Sequence, residues 1–234
     1  MSDMNYLKKD LQSLENTEKS KVMRGFFKTG KGEYGEGDIF LGLTVPQSRM
    51  LAKKYSLISF QDISELLKSK IHEERLIALL ILVNNYTKDK NKREEIVSFY
   101  LKNTDKINNW DLVDLSADKI LGSYLLEKEK DILYKLAKSE NIWERRISII
   151  ATFYFIKNKQ FGETLKISEI LLQDKHDLIQ KAVGWMLREV GKREQSIEEE
   201  FLKKRYKKMP RTSLRYAIER FPEDKRQAYL KGEI

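Results

Sequence analysis

The sequence has no cysteine, three prolines and two histidines in 234 residues. Without cysteine there can be no disulfide, thiolate metal site or cysteine nucleophile, which fits a reducing compartment. His72 and His176 are far apart and match no metal-ligand spacing, so a histidine triad or zinc site is not expected; each is expected at the surface or as a helix cap. The longest purely apolar run, Leu76 to Val83, is too short to cross a bilayer. Met1 to Gln12 is polar and carries no signal-peptide core. These absences suggest a soluble, cytoplasmic protein with no membrane partner. Glycine is scarce except between Gly25 and Gly42, which hold six of the eleven. The remainder has few breakers and is free to be helical.

Helical periodicity dominates what is present. Helices are expected at 4–15, 17–28, 46–55, 59–69, 73–86, 90–103, 107–122, 127–138, 141–157, 160–173, 176–193, 195–207, 210–220 and 223–230. No stretch alternates cleanly enough for a strand. The connections are short and helix pairs recur at roughly 35–40 residues, near the period of helical-repeat proteins. Glu73–Tyr86 and Ile142–Lys157 are apolar nearly all round and must be covered on several sides. The expectation is an all-α solenoid of about six helical hairpins, one domain over 1–234, with a concave basic groove.

Lys28–Pro46 is the exception, a glycine-rich loop with two apparent nucleotide motifs. Gly25 to Lys31 spells G-x-x-x-x-G-K but is followed by Gly32, where the motif needs Ser or Thr. Gly30 to Gly35 spells G-x-G-x-x-G. Both motifs require a strand upstream, and the upstream segment here is helical. Glu33, Glu36 and Asp38 would also repel phosphate. A packed surface loop is the favoured reading.

Lysine and arginine outnumber aspartate and glutamate by 45 to 36, a net charge of +9, which favours an anionic partner. Trp110 and Asp114 stand i and i+4 on one helix, beside the inward face of Leu112, Val113, Ser116 and Ile120. They are either a boundary tryptophan with a solvated aspartate or part of a site. On 176–193 the core stripe is Ile179, Ala182, Val183, Met186, Leu187 and Val190. A second face carries Lys181, Trp185, Arg188 and Lys192, an aromatic among cations, as on nucleic-acid surfaces; Trp185 covered by the next repeat is the alternative. Arg146, on a mostly apolar helix, must reach solvent or an anion. Eight cations fall between Phe201 and Arg220, opposed only by Glu219; they are a solvated face or a continuation of the groove.

The segments FFKTGKGEYGEGDIFLGLTVPQSR, NNWDLVDLSA, NIWERRISIIATF, IQKAVGWMLREVGKR and MPRTSLRYAIERF, in this order from Phe26 to Phe221, resemble the AlkD-type DNA alkylation repair family. That family is built of HEAT-like repeats. The resemblance implies a monofunctional DNA glycosylase of base excision repair, a hydrolase that releases cationic purines such as 3-methyladenine and 7-methylguanine. It implies a site of Asp114 flanked by Trp110 and Trp185, with Arg146 nearby. Arg49, Lys181, Arg188, Lys192, Arg211 and Arg215 are the expected DNA contacts. Double-stranded DNA carrying an alkylated purine is the implied partner, with no metal or other cofactor and a monomeric protein. The rival expectation is a non-catalytic helical-repeat scaffold that binds nucleic acid or an acidic protein.

Overall fold

A computed structural model describes residues 2–234. The chain divides into two compact units, Met1–Ser116 and Ala117–Ile234. The first contains α1 (Asp3–Ser13), α2 (Thr17–Phe26), α3 (Val45–Lys54), α4 (Phe60–Leu67), α5 (His72–Lys88), α6 (Arg93–Lys102) and α7 (Trp110–Asp114). The second contains a π-helical turn, Asp118–Gly122, running into α8 (Ser123–Leu125). It continues with α9 (Asp131–Ala137), α10 (Ile142–Lys157), α11 (Gly162–Ile170), α12 (Asp177–Gly191), α13 (Gln195–Lys203), α14 (Arg211–Ala217) and α15 (Glu223–Lys231). The architecture is all-α and helical-repeat, as expected. Among the described residues the only β pairing is an isolated parallel bridge between Ile39 and Ile71, and no helix is long and apolar enough to cross a membrane.

The helices begin where the chain offers a side chain to an unpaired amide. Asn16 accepts from Lys19 at 2.9 Å, Asn141 accepts from Trp143 at 2.9 Å, and Ser59 and Asp62 form a capping box. The helices expected to be apolar all round are the central ones. α5 packs on α3, α4 and α6, and α10 on α9, α11 and α12. Leu76–Leu82 of α5 and Arg146–Thr152 of α10 are buried without interruption.

The expected helix at 107–122 is broken. The Ser116 hydroxyl donates to the Leu112 carbonyl at 2.6 Å and meets the Tyr100 hydroxyl at 3.0 Å. A serine bonded back to i−4 competes with the helix ladder and bends it. α7 ends at Asp114, and the chain resumes as the π turn. The Asp118 carboxylate in that turn is buried and neutralised by Lys157 at 2.7 Å and Lys119 at 3.2 Å. The other misjudged boundaries are smaller: residues 127–130 precede α9, and α6 follows a 3₁₀ turn at Lys90–Lys92.

Close helix approach in the second unit depends on Gly184, where α12 meets α14. A Cβ there would collide with the Ser213 carbonyl oxygen and lie 2.5 Å from Tyr216 Cβ. Gly184→Ala should therefore destabilise despite alanine's better helix propensity, a gain of about 1 kcal/mol. Overpacking costs about 1–3 kcal/mol, and each net kcal/mol lowers Tm by roughly 2–4 °C in a chain of this size. Thermal unfolding followed by circular dichroism tests this; an unchanged or raised Tm would show that α14 moves aside freely.

Candidate active site

The glycine-rich segment has two parts with different roles. Its tip is exposed and closes on itself: Glu33 accepts from the Gly30 amide and Glu36 from the Gly32 amide, each at 2.8 Å. The amides that a phosphate would need are occupied by the loop's own carboxylates, so neither glycine motif is a nucleotide cradle. The far end is not a surface loop. Phe40 and Leu43 are buried, and Gly42 adopts φ +89° against the Asn16 backbone, where any side chain would be strained and would collide. Glu73 of α5, itself buried, accepts from the amides of Leu41, Gly42 and Leu43 at 3.1, 2.8 and 3.2 Å.

The same turn of α5 overturns the expectation for His72. The residue is 2 % exposed, neither a surface group nor a side-chain cap. Its Nε2 lies 2.8 Å from the Asp111 carboxylate of α7, and its Nδ1 lies 3.6 Å from the Asp38 carboxylate of the loop, beyond hydrogen-bond range. Arg75 pairs with Asp38 at 2.7 Å and donates to the Ser69 carbonyl at 2.7 Å. Burial pushes the His72 pKa down. The charge and hydrogen bond of Asp111 and the contact with Asp38 outweigh both burial and the opposing Arg75, and raise it to about 9. Burial alone would raise Asp38, but His72 and Arg75 hold it below the usual carboxylate range. His176 does cap its helix, its side chain accepting from the Leu178 amide at 3.2 Å.

These residues place α7. Asn109, fully buried, caps it by accepting from the Trp110 amide at 2.8 Å. Leu112 and Val113 enter the core. Of the two aspartates on this short helix, Asp111 turns inward to His72, whereas Asp114 is half-buried, as is Trp110. The Trp110 ring stacks on Phe27 at 5.2 Å and 19°. Phe27 in turn stacks on Phe40 at 4.9 Å and 16°. Phe26, 64 % exposed, meets the Trp110 ring edge-on. Trp110 is thus neither a simple boundary residue nor free of the core: one face is supported and the residue stays partly open. Phe26, Phe27, Phe40, Arg75 and Asp111 were not singled out from the sequence, and His72 and Asp38 were assigned to the surface and the loop rather than to this cluster. The available signal was the His-Glu-Glu-Arg run at the start of an otherwise apolar helix, four polar groups that burial forces to find partners.

The second unit carries the other two candidates. Trp185 is half-buried on α12, tilted against Phe153 at 5.8 Å. Phe153 is itself approached by the Lys157 ammonium at 4.0 Å and the Arg193 guanidinium at 5.9 Å. Of the two outlets expected for Arg146, solvent is closed: it is 5 % exposed, and its Nη1 donates to the Leu178 carbonyl in the first turn of α12 at 2.6 Å. Arg145 pairs with Asp174 at 2.7 Å and donates to the carbonyls of Ser139 and Glu140. A cleft of about 510 Å³ in this unit, lined by Tyr134, Ile170, Phe201 and Arg205 among others, includes neither Arg146 nor Trp185.

The basic face of α12 is present but carries its own counter-charges. Lys181 pairs with Asp177 at 2.8 Å and Lys192 with Glu189 at 2.6 Å, and Arg188 pairs with Glu219. Arg49 and Arg215 are exposed. Arg211 is exposed too and donates to the Leu230 carbonyl at 2.6 Å. Among the described residues no group of three or more histidines, aspartates and glutamates is placed to hold a metal ion.

Residues 7–221 match the family model described as DNA alkylation repair enzyme. No curated protein matches the chain. Among solved structures, a predicted DNA alkylation repair enzyme from Enterococcus faecalis superposes with a TM-score of 0.69 at 18 % identity, over 89 % of this chain and 97 % of that one. AlkD2 from Streptococcus mutans superposes with a TM-score of 0.58 at 19 % identity, over 95 % of this chain and all of that one.

Proposed function

The chain belongs to the DNA alkylation repair enzyme family, and from that premise we propose that it is a monofunctional DNA glycosylase. It would hydrolyse the N-glycosidic bond of cationic alkylated purines, 3-methyladenine and 7-methylguanine, in duplex DNA. The observation that supports this best is the setting of α7. Asp111 is buried against His72, and Trp110, stacked on Phe27, is half-buried on the same helix as Asp114, also half-buried and four residues on.

An alkylated purine already carries positive charge and leaves without a strong general acid. The deoxyribose develops oxocarbenium character as the bond breaks. A carboxylate beside that carbon stabilises the charge or orients the attacking water; Asp114 takes this role. Trp110 offers an aromatic face to the sugar and the cationic lesion, and Trp185 is the aromatic that the second unit contributes to DNA binding. Arg146, buried and bonded to the first turn of α12, serves by holding the helix of Trp185 rather than by touching DNA. Duplex DNA with a single 7-methylguanine should release free base without strand cleavage. Release no faster than in buffer would refute the enzyme reading, and cleaved strands would point to a lysine nucleophile.

One observation favours the scaffold reading: Lys181, Arg188 and Lys192 are already paired within the protein. A phosphate must displace a carboxylate to use them, so each contributes less to DNA affinity than an exposed cation. For a DNA-binding protein, Arg215→Ala should lower the salt slope of duplex affinity by about 1, and Lys192→Ala by less. Affinity titrations at several salt concentrations check this. Salt-independent or absent DNA binding would transfer support to a protein-binding scaffold.

A further inference from the structure

His72 lies at the centre of a buried cluster that the chemistry proposed above does not use. The charges facing it are Asp38 from the loop, Asp111 from α7 and Arg75 from its own helix. With a neutral imidazole the cluster would bury two carboxylates against one guanidinium; with an imidazolium the charges balance, the state a low-dielectric interior favours. The direction of the His72 titration agrees. Two routes lead from this ring to the candidate site. One runs through Asp111, the residue next to Trp110. The other runs through Phe27, 5.1 Å from the imidazole and stacked on Trp110. A helix of five residues has little stability of its own, so α7 takes its place from such anchors.

We propose that His72 is a positioning residue: its ring ties Asp111 of α7 to Asp38 of the glycine-rich segment, and this tie keeps Trp110 and Asp114 in their working places. The assignment rests on the reading of Trp110 and Asp114 as the reaction site. The glycine-rich segment thereby gains a function, since it supplies Asp38 and Phe40 to the support of that site.

The test uses the full chain, ¹⁵N-labelled, and a duplex oligonucleotide with one 7-methylguanine. The three tryptophans, Trp110, Trp143 and Trp185, give three indole resonances. In His72→Gln the Trp110 resonance should move while those of Trp143 and Trp185 stay. Single-turnover release should fall by about ten- to a hundredfold, the effect of a small misplacement of reacting groups, with duplex affinity held within about twofold. Release by the wild type, corrected for spontaneous loss, should decline as pH approaches 9. That decline should be absent in His72→Gln and move to lower pH in Asp38→Asn, which removes one stabilising carboxylate. If His72→Gln does not fold, Asp38→Asn alone carries the test, through the Trp110 resonance and the displaced pH limb. A folded His72→Gln with an unmoved Trp110 resonance and wild-type rate would overturn the proposal. So would equal shifts of all three indoles, or a pH limb that Asp38→Asn leaves in place. If the wild type releases no base, the glycosylase reading falls, and the indole shifts with the His72 NMR titration still decide the positioning claim.

Discussion

Asp114→Asn is expected to slow single-turnover release of 7-methylguanine by about one to three orders of magnitude, the range seen when one preorganised electrostatic group is removed. Asparagine keeps the shape and hydrogen-bonding capacity of aspartate and loses the charge. Duplex affinity should hold or rise slightly, because a negative charge near phosphates has gone. The fold should survive, since Asp114 is half-buried rather than in the core and asparagine keeps its shape. Asp111→Asn on the same helix provides the contrast. Asp111 is buried against His72 at 2.8 Å, and its loss leaves a buried imidazolium with one carboxylate contact fewer, so its first consequence is lost stability. A neutral base, if processed at all, should suffer more from Asp114→Asn than a cationic one, because its departure demands more stabilisation. Unchanged release by a folded, DNA-bound Asp114→Asn protein would remove Asp114 from the mechanism and leave the tryptophans as the remaining candidates.

The contrast between the two aspartates shows where sequence reading reaches its limit. The spacing of Trp110 and Asp114 was legible because i and i+4 fall on one helical face, and that turn is helical. The continuation to residue 122 was not, because the break comes from a serine hydroxyl whose partners, Leu112 and Tyr100, are chosen by packing. The long buried helices were legible as apolar all-round segments, and α5 and α10 occupy the middle of their units. His72 was misjudged because a lone histidine beside two glutamates and an arginine is equally consistent with a solvated helix start. Its partners lie 34 residues before and 39 after, in Asp38 and Asp111. Arg146 was legible only in part for a related reason: a backbone carbonyl, that of Leu178, satisfies part of its donor set, and no periodicity reveals a carbonyl. The basic face of α12 was legible, but its neutralisation by Glu219 of another helix was not.

The largest expected loss of stability follows from Glu73→Ala. This carboxylate, 1 % exposed, is the acceptor for three successive amides of the segment Leu41–Leu43. Hydrogen bonds to a charged acceptor are worth about 1.5–3 kcal/mol each, and buried donors left unpaired carry the full desolvation cost. Alanine deletes the acceptor, and the next carboxylate on α5, Glu74, is turned to Lys8 at 3.9 Å. The expected loss is about 3–5 kcal/mol, within the sum for two or more buried amides left unpaired at about 1–3 kcal/mol each. At roughly 2–4 °C per kcal/mol, Tm should fall by well over 5 °C. Glu73→Gln should lose less, since its amide oxygen still accepts from at least one of the three N–H groups. The functional consequence has a direction as well. Phe40 lies next to Leu41 and stacks on both His72 and Phe27, so loosening Leu41–Leu43 withdraws support from Trp110. Base release by Glu73→Ala should therefore fall at temperatures where the protein is still folded, whereas Gly184→Ala, acting in the other unit, should leave the Trp110 indole resonance unmoved. Thermal unfolding and the Trp110 resonance, measured together on both variants, test this separation; a Glu73→Ala protein with wild-type Tm would show that solvent replaces the carboxylate at those amides.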